Sequence, residues 1–286
     1  MTVELATPTP GVEVNDPRGR TAVDPSLFQQ PRTRIIMSTG QSMLGNWADC
    51  SPVPFDPSHP CYELNIFDGL IRPCDGGPIS NMNQGPHQSY DQFPQRLSVL
   101  DYWGKYLCAQ GKNDRVLVCG LNIGGTPAAH WAPGTGLFNR AVLALRMLES
   151  MGLTPTEWVH AIGHGDRMAS ESQHLSVEMT SARFAAHTVA FIDGMRAAGY
   201  AGKILLGLGC WQSIAVEAKR IAVVTGQQMA AEATGVTLGA NDDAWITAQM
   251  RPDGCHWSEA GRWASFFAVN ASHPEYSWTS FFTTMP

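Results

Sequence analysis

Five short apolar runs, set apart by segments with helical patterning, predict an α/β fold: a three-layer α/β/α sandwich around a five-stranded parallel sheet. The runs are Thr33–Met37, Arg115–Leu121, Glu157–Ile162, Lys203–Leu208 and Gly235–Leu238. Strands alternating with helices imply a sheet covered on both faces, and right-handed crossovers then make it doubly wound. Length and composition agree. The chain has 286 residues, 44% apolar and 15% charged, enough for the full core of one large domain.

The first element is expected to be an extended N-terminal arm or linker, residues 1–30, ahead of a domain spanning 31–286. Met1 to Gln30 is rich in Pro, Thr, Val and Asp and has no apolar stretch of the kind a signal peptide needs. Such an arm could join the chain to a larger assembly. Ile35-Ile36-Met37 then reads as a buried strand, with Ser38-Thr39-Gly40 as the turn after it. Ser42 falls at the C-terminal end of that strand, which is where ligands bind in open α/β sheets. Asn46 to Pro94 is dense in Pro, Gly, Asn and Asp and shows little periodicity. A loop that long inside a domain usually serves function, so 46–94 is expected to be an insertion forming a wall of the site.

The helices follow from spacing. Phe138, Val142, Leu145 and Leu148 share one helix face, and so do Phe184, Thr188, Phe191, Ile192 and Met195, with Gly199 near the end of that second helix. Ile214 to Ala233 is rich in good helix formers. After His256, Ser258 can cap a last helix that buries Trp263, Phe266 and Phe267.

Composition narrows the partners. A net charge of −6 without a Lys/Arg cluster argues against nucleic acid. No run reaches the roughly 18 apolar residues of a membrane span. Seven cysteines is an odd number, so at least one has no partner within the chain. Cys50, Cys61 and Cys74 cluster in one loop-rich region where a disulfide is possible, whereas Cys108, Cys119 and Cys210 read as small buried hydrophobes. No C-x-x-C zinc pattern occurs, and no cofactor or metal is expected. The reading leans toward a soluble, secreted or surface-associated protein over a cytoplasmic one.

Four polar segments fall at strand ends. Ser42 follows the first strand, Asn122-Ile-Gly-Gly-Thr-Pro127 the second, and His160-Ala-Ile-Gly-His-Gly-Asp166 ends the third; Asp253-Gly254-Cys255-His256 precedes the last helix. A serine after a strand is commonly a helix N-cap, and Gly-Gly is commonly a tight turn. Their joint order is what points to chemistry. A serine needs a base to become a nucleophile, and His256 oriented by Asp253 can be that base.

With these blocks in this order the chain resembles the SGNH (GDSL-like) hydrolase superfamily, in particular its sialate O-acetylesterase and plant carbohydrate acetylesterase branch. The resemblance rests on Gly40-Gln41-Ser42, on Gly124-Gly125-Thr126 followed by Trp131, and on Asp253-Gly254-Cys255-His256 followed by Gly261. It runs from about Thr33 to about Asn270. It implies a flavodoxin-like fold and a serine esterase that removes acetyl groups from a carbohydrate. Ser42 would be the nucleophile, His256 the base and Asp253 its orienter. The oxyanion hole would comprise the Ser42 and Gly125 backbone N–H groups and the His164 side chain. One block departs from the branch, which usually has Gln-Gly-Glu where this chain has His164-Gly165-Asp166. A neutral imidazole can still donate one N–H.

Gln41, Trp47, Trp131 and Trp257 are the candidate substrate-binding residues, since each lies close to a proposed catalytic or oxyanion residue and an indole face suits a sugar ring. Three other readings compete. A metal-dependent hydrolase would use His160, His164, Asp166 and His256. A carbohydrate-binding module would use the same fold without catalysis. An acyltransferase would differ in passing the acyl group to a sugar hydroxyl instead of water.

Overall fold

The computed structural model describes residues 20–45, 55–74, 99–163, 179–210, 217–258, 260–261 and 264. Its strands are β1 (Thr33–Gly40), β2 (Cys61–Asn65), β3 (Leu70–Pro73), β4 (Arg115–Gly120), β5 (Glu157–Ala161), β6 (Lys203–Leu208) and β7 (Thr237–Asn241), ordered β3-β2-β4-β1-β5-β6-β7 in one sheet. The five strands expected from sequence are the run β4-β1-β5-β6-β7, and every neighbouring pair within it is parallel. β1 sits where the strand order reverses, because the connection out of β4 passes back over it to β5. In doubly wound sheets such a point is where ligands bind.

The sheet is larger than expected and mixed. β2 and β3 come from the 46–94 segment, which the sequence led us to treat as irregular. β2 adds to β4 in parallel and β3 returns antiparallel to β2, so a five-stranded parallel sheet is corrected to seven strands with one antiparallel edge. The two strands are five and four residues long, too short for periodicity to register. Their turn carries a recognisable signature in Asp68-Gly69. Gly69 has φ +71°, its N–H bonds Asn65 O at 2.8 Å, and Asn65 Oδ1 accepts from Phe67 N at 3.0 Å.

The helices are α1 (Ser42–Gly45), α2 (Leu100–Ala109), α3 (Gly136–Ser150), α4 (Ser181–Ala197), α5 (Glu217–Thr234) and α6 (Asp242–Trp245). α3 and α4 start at threonine N-caps: Thr135 Oγ1 accepts from Phe138 N and Thr180 Oγ1 from Arg183 N, both at 3.2 Å. Alternation along the strands builds two cores. Ile35, Met37, Leu117 and Trp158 pack with Leu145, Leu148, Phe184, Phe191 and Val223 on the α3–α4–α5 side. Ile36, Val116, Val118 and Leu205 pack with Trp103 and Leu107 of α2 and with Ile246 and Trp257 on the other. These are the three layers.

Residues 20–30, expected as part of the arm, pack against the sheet edge. Arg20 pairs with the fully buried Glu63 at 2.7 Å, Val23 bridges to Ile71, and Phe28 meets Tyr62 edge-on at 5.1 Å. Residues 1–19 lie outside the described residues. Ser258 Oγ accepts from Gly261 N at 3.2 Å, an N-cap contact, while Trp263, Phe266 and Phe267 lie outside. No disulfide joins Cys61, Cys74, Cys108, Cys119, Cys210 and Cys255 to one another; Cys50 is outside the described residues. No helix among the described residues is long and apolar enough to cross a membrane.

Candidate active site

β1 ends on a glycine because its backbone touches β5 there. Gly40 has φ +140°, and a Cβ built on it would lie 1.9 Å from Ala161 O. Gln41 N continues the contact, donating to Ala161 O at 3.3 Å. The chain then turns directly into α1, leaving Gln41 buried and Ser42 half-buried. The loop after β4 is tied to the same strand end. Leu121 N donates to Ser38 O (2.8 Å) and Ile123 N to Gly40 O (3.0 Å), while the fully buried Asn122 donates from Nδ2 to Ser38 Oγ at 2.9 Å. These bonds set the loops carrying Ser42 and Gly125 side by side. Gly125 has φ +71°, and a Cβ there would meet nothing within 4 Å among the described residues.

The Asp253–His256 segment is a tight turn closed by Gly254 N on Arg251 O at 2.8 Å. Asp253 Oδ1 accepts from the backbone N–H of Cys255 (3.0 Å) and of His256 (2.7 Å), and its Oδ2 lies 2.7 Å from His256 Nδ1. Burial alone would raise the Asp253 carboxyl. The hydrogen bonds and charge of His256, with the Cys255 N–H, outweigh it and hold the group well below the usual carboxylate range. In a neutral imidazole so held, an ionised Asp253 favours the proton on Nδ1 and leaves Nε2 as the acceptor. That Nε2 is buried and has no hydrogen-bond partner, Ser42 included.

The other expected residues divide. Trp131 belongs to the core instead of a binding face: it is fully buried, its Nε1 donates to Thr126 Oγ1 at 3.1 Å, and its ring stands edge-on to His160 and Phe191. Gln41 and Trp257 line a shallow cleft with Leu44, the ends of β5 and β6, Asp242, Asp243 and Arg251. Trp47, His164 and Asp166 lie outside the described residues. His160 does not suit the metal reading. It is fully buried, stacked on Phe191 at 4.2 Å, and its Nδ1 is 2.9 Å from Thr39 Oγ1. Burial pushes it down to about 3, so it is a neutral core side chain. Sequence reading missed the supports. Asn122 was visible as the first residue of the Gly-Gly segment, but nothing local marked Asp243 or Arg251, which meet only in the fold.

No protein-family model matches the chain, and no curated protein matches its sequence. Solved structures share its fold. A protein from Arabidopsis thaliana superposes with a TM-score of 0.57 at 13% identity, over 82% of this chain and 93% of that one. NanS superposes with a TM-score of 0.52 at 14% identity, over 80% and 92%. A lipase/acylhydrolase from Enterococcus faecalis reaches 0.49 at 14% identity over 80% and 89%. At such identities the likeness is one of architecture, and what this α/β sandwich does must be argued from its own site.

Proposed function

We propose that this chain is a serine esterase that removes O-acetyl groups from a carbohydrate, with Ser42 as nucleophile, His256 as base and Asp253 as orienter. The observation that carries the proposal is the Asp253–His256 pair: one carboxylate fixes the imidazole through Nδ1, and Nε2 stays buried without a partner. What sets His256 apart is the carboxylate on Nδ1, which leaves Nε2 as the nitrogen able to take a proton from a serine.

The chemistry follows. Ser42 Oγ attacks the ester carbonyl as its proton passes to His256 Nε2, forming the Oγ–C bond and an oxyanion. Asp253 stabilises the imidazolium. Collapse breaks the bond to the sugar oxygen, which takes the proton from His256 and leaves, and an acetyl group stays on Ser42. Water, deprotonated by the same imidazole, then bonds to the acyl carbon; collapse breaks the Ser42 Oγ–C bond, Oγ takes the proton back from His256, and acetate leaves. The oxyanion needs preorganised donors, each worth about 2.7–4 kcal/mol. We assign that task to the backbone N–H groups of Ser42 and Gly125, with the His164 side chain as the third donor. Among the described residues, nothing lies within 4 Å of where a Gly125 Cβ would be, which is compatible with this role. Gln41 and Trp257, both lining the cleft, are proposed substrate contacts, and Trp47 is proposed as another from its place in the sequence.

Turnover of a chromogenic acetyl ester and of an acetylated sugar tests the proposal. Ser42→Ala and His256→Ala should each lower kcat by about 10⁶-fold, and Asp253→Asn by only about 10⁴-fold, because orientation is lost while the base remains. Near-normal rates for Ser42→Ala would rule out the covalent serine route. No turnover by folded wild-type protein would favour the carbohydrate-binding reading.

A further inference from the structure

Arg251 and Asp243 form a buried charged pair that the mechanism above does not use. The Arg251 side chain is 1% exposed and that of Asp243 is 4% exposed. We propose that Arg251, held by Asp243, is a positioning residue that clamps the His256 turn to the sheet; this rests on His256 being the base. Three contacts make the clamp. Arg251 NH1 donates to Cys255 O, the carbonyl next to His256, at 2.9 Å, and NH2 donates to Asp243 Oδ1 at 3.3 Å. Asp243 Oδ2 in turn accepts from Cys210 N at 2.8 Å, two residues past the end of β6. The path therefore runs from a strand end, through two side chains, to the backbone beside the imidazole.

Local geometry is arranged around the carboxylate. Gly209 has φ +126°, and a Cβ on it would lie 3.2 Å from the Asp243 carboxylate, so a glycine there lets Asp243 sit against the strand end. Asn241 Oδ1 accepts from Asp243 N at 3.1 Å and fixes the start of α6. Burying such a pair rarely adds stability over an apolar one of equal volume, because desolvation consumes the attraction. Its use here is placement. The turn spans few residues, is closed chiefly on itself, and must hold an imidazole where small displacements slow chemistry by about 10²-fold. A guanidinium reaches two differently placed acceptors at once, which a lysine ammonium on one point cannot match.

The experiment compares Arg251→Met, Arg251→Lys and Asp243→Asn with wild type and His256→Ala. Two readouts are needed: kcat and KM on the chromogenic acetyl ester, and the downfield proton resonance of His256 Nδ1–H bonded to Asp253. Arg251→Met should lower kcat about 10–100-fold with KM within about twofold, and should broaden or remove the resonance. Arg251→Lys should recover part of both. A purely structural role would lower the melting temperature and leave kcat of folded protein and the resonance unchanged, and that result overturns the clamp. If Arg251→Met does not fold, Asp243→Asn, nearly isosteric, carries the same comparison. If wild-type protein shows no turnover sensitive to His256→Ala, the esterase reading fails, and the resonance alone decides the clamp: unchanged in the variants it is wrong, lost it stands.

Discussion

His256 and His160 show how one residue type takes opposite roles through its neighbours. His256 has a carboxylate 2.7 Å from Nδ1, whereas His160 has only the Thr39 hydroxyl at its Nδ1 and is fully buried against Phe191, which keeps it neutral. A pH consequence follows for His160. Its folded pKa of about 3 lies below the ordinary 6.5, so the unfolded chain binds the extra proton. Its contribution to stability is complete above about pH 6.5 and is lost as pH falls toward 3, at about 1.4 kcal/mol per pH unit. His160→Gln should remove that one-proton slope from the urea midpoints between pH 7 and 4. Asp253, whose carboxyl is depressed, acts in a lower window, losing its contribution as pH falls below the ordinary carboxylate range. His164 is the remaining test at this scale. His164→Ala should lower kcat by about 10²–10³ with little change in KM, while His164→Gln keeps substantial activity. Equal kcat for alanine and wild type would remove His164 from the oxyanion hole. The Asp253-x-x-His256 pair was legible because three residues in a turn bring both side chains together. Trp131 was not, since the sequence places an indole near a block without saying which side of the sheet it enters.

At the level of elements, two glycines with positive φ differ in what surrounds them. Gly40 has a carbonyl where its Cβ would be, whereas Gly69 has nothing within 4 Å. Gly69→Ala should therefore cost about 1–2 kcal/mol, the strain of the left-handed conformation alone. Gly40→Ala must also part β1 from β5, and should cost about 4 kcal/mol or prevent folding. Denaturant midpoints of the two variants check the contrast. The same pair explains what could be read in advance. Long apolar runs announced β1, β4, β5, β6 and β7, because strands buried on both faces leave an unbroken signal. The hairpin β2–β3 was hidden by short strands among prolines and aspartates, although Asp68-Gly69 marked its turn. α5 was legible from composition, and its start at Glu217 lies close to the expected position.

For the whole molecule, alternating strands and helices were enough to give the class and the parallel order around β1. The added edge strands, and the packing of residues 20–30 upon them, were not legible because both depend on contacts between distant segments. The proposed site has the same dependence. β1 is the first strand of the chain and lies in the middle of the sheet. Ser38 meets Asn122 across 84 residues of sequence, and Thr39 meets His160 across 121. Contacts that distant make folding slow. During synthesis at the ribosome, Ser42 therefore emerges long before the strands that flank it and the turn that carries its proposed base. On the proposed assignment of Ser42 and His256, a growing chain would carry the nucleophile well before its base, and hydrolysis would await the docking of the Asp253–His256 turn.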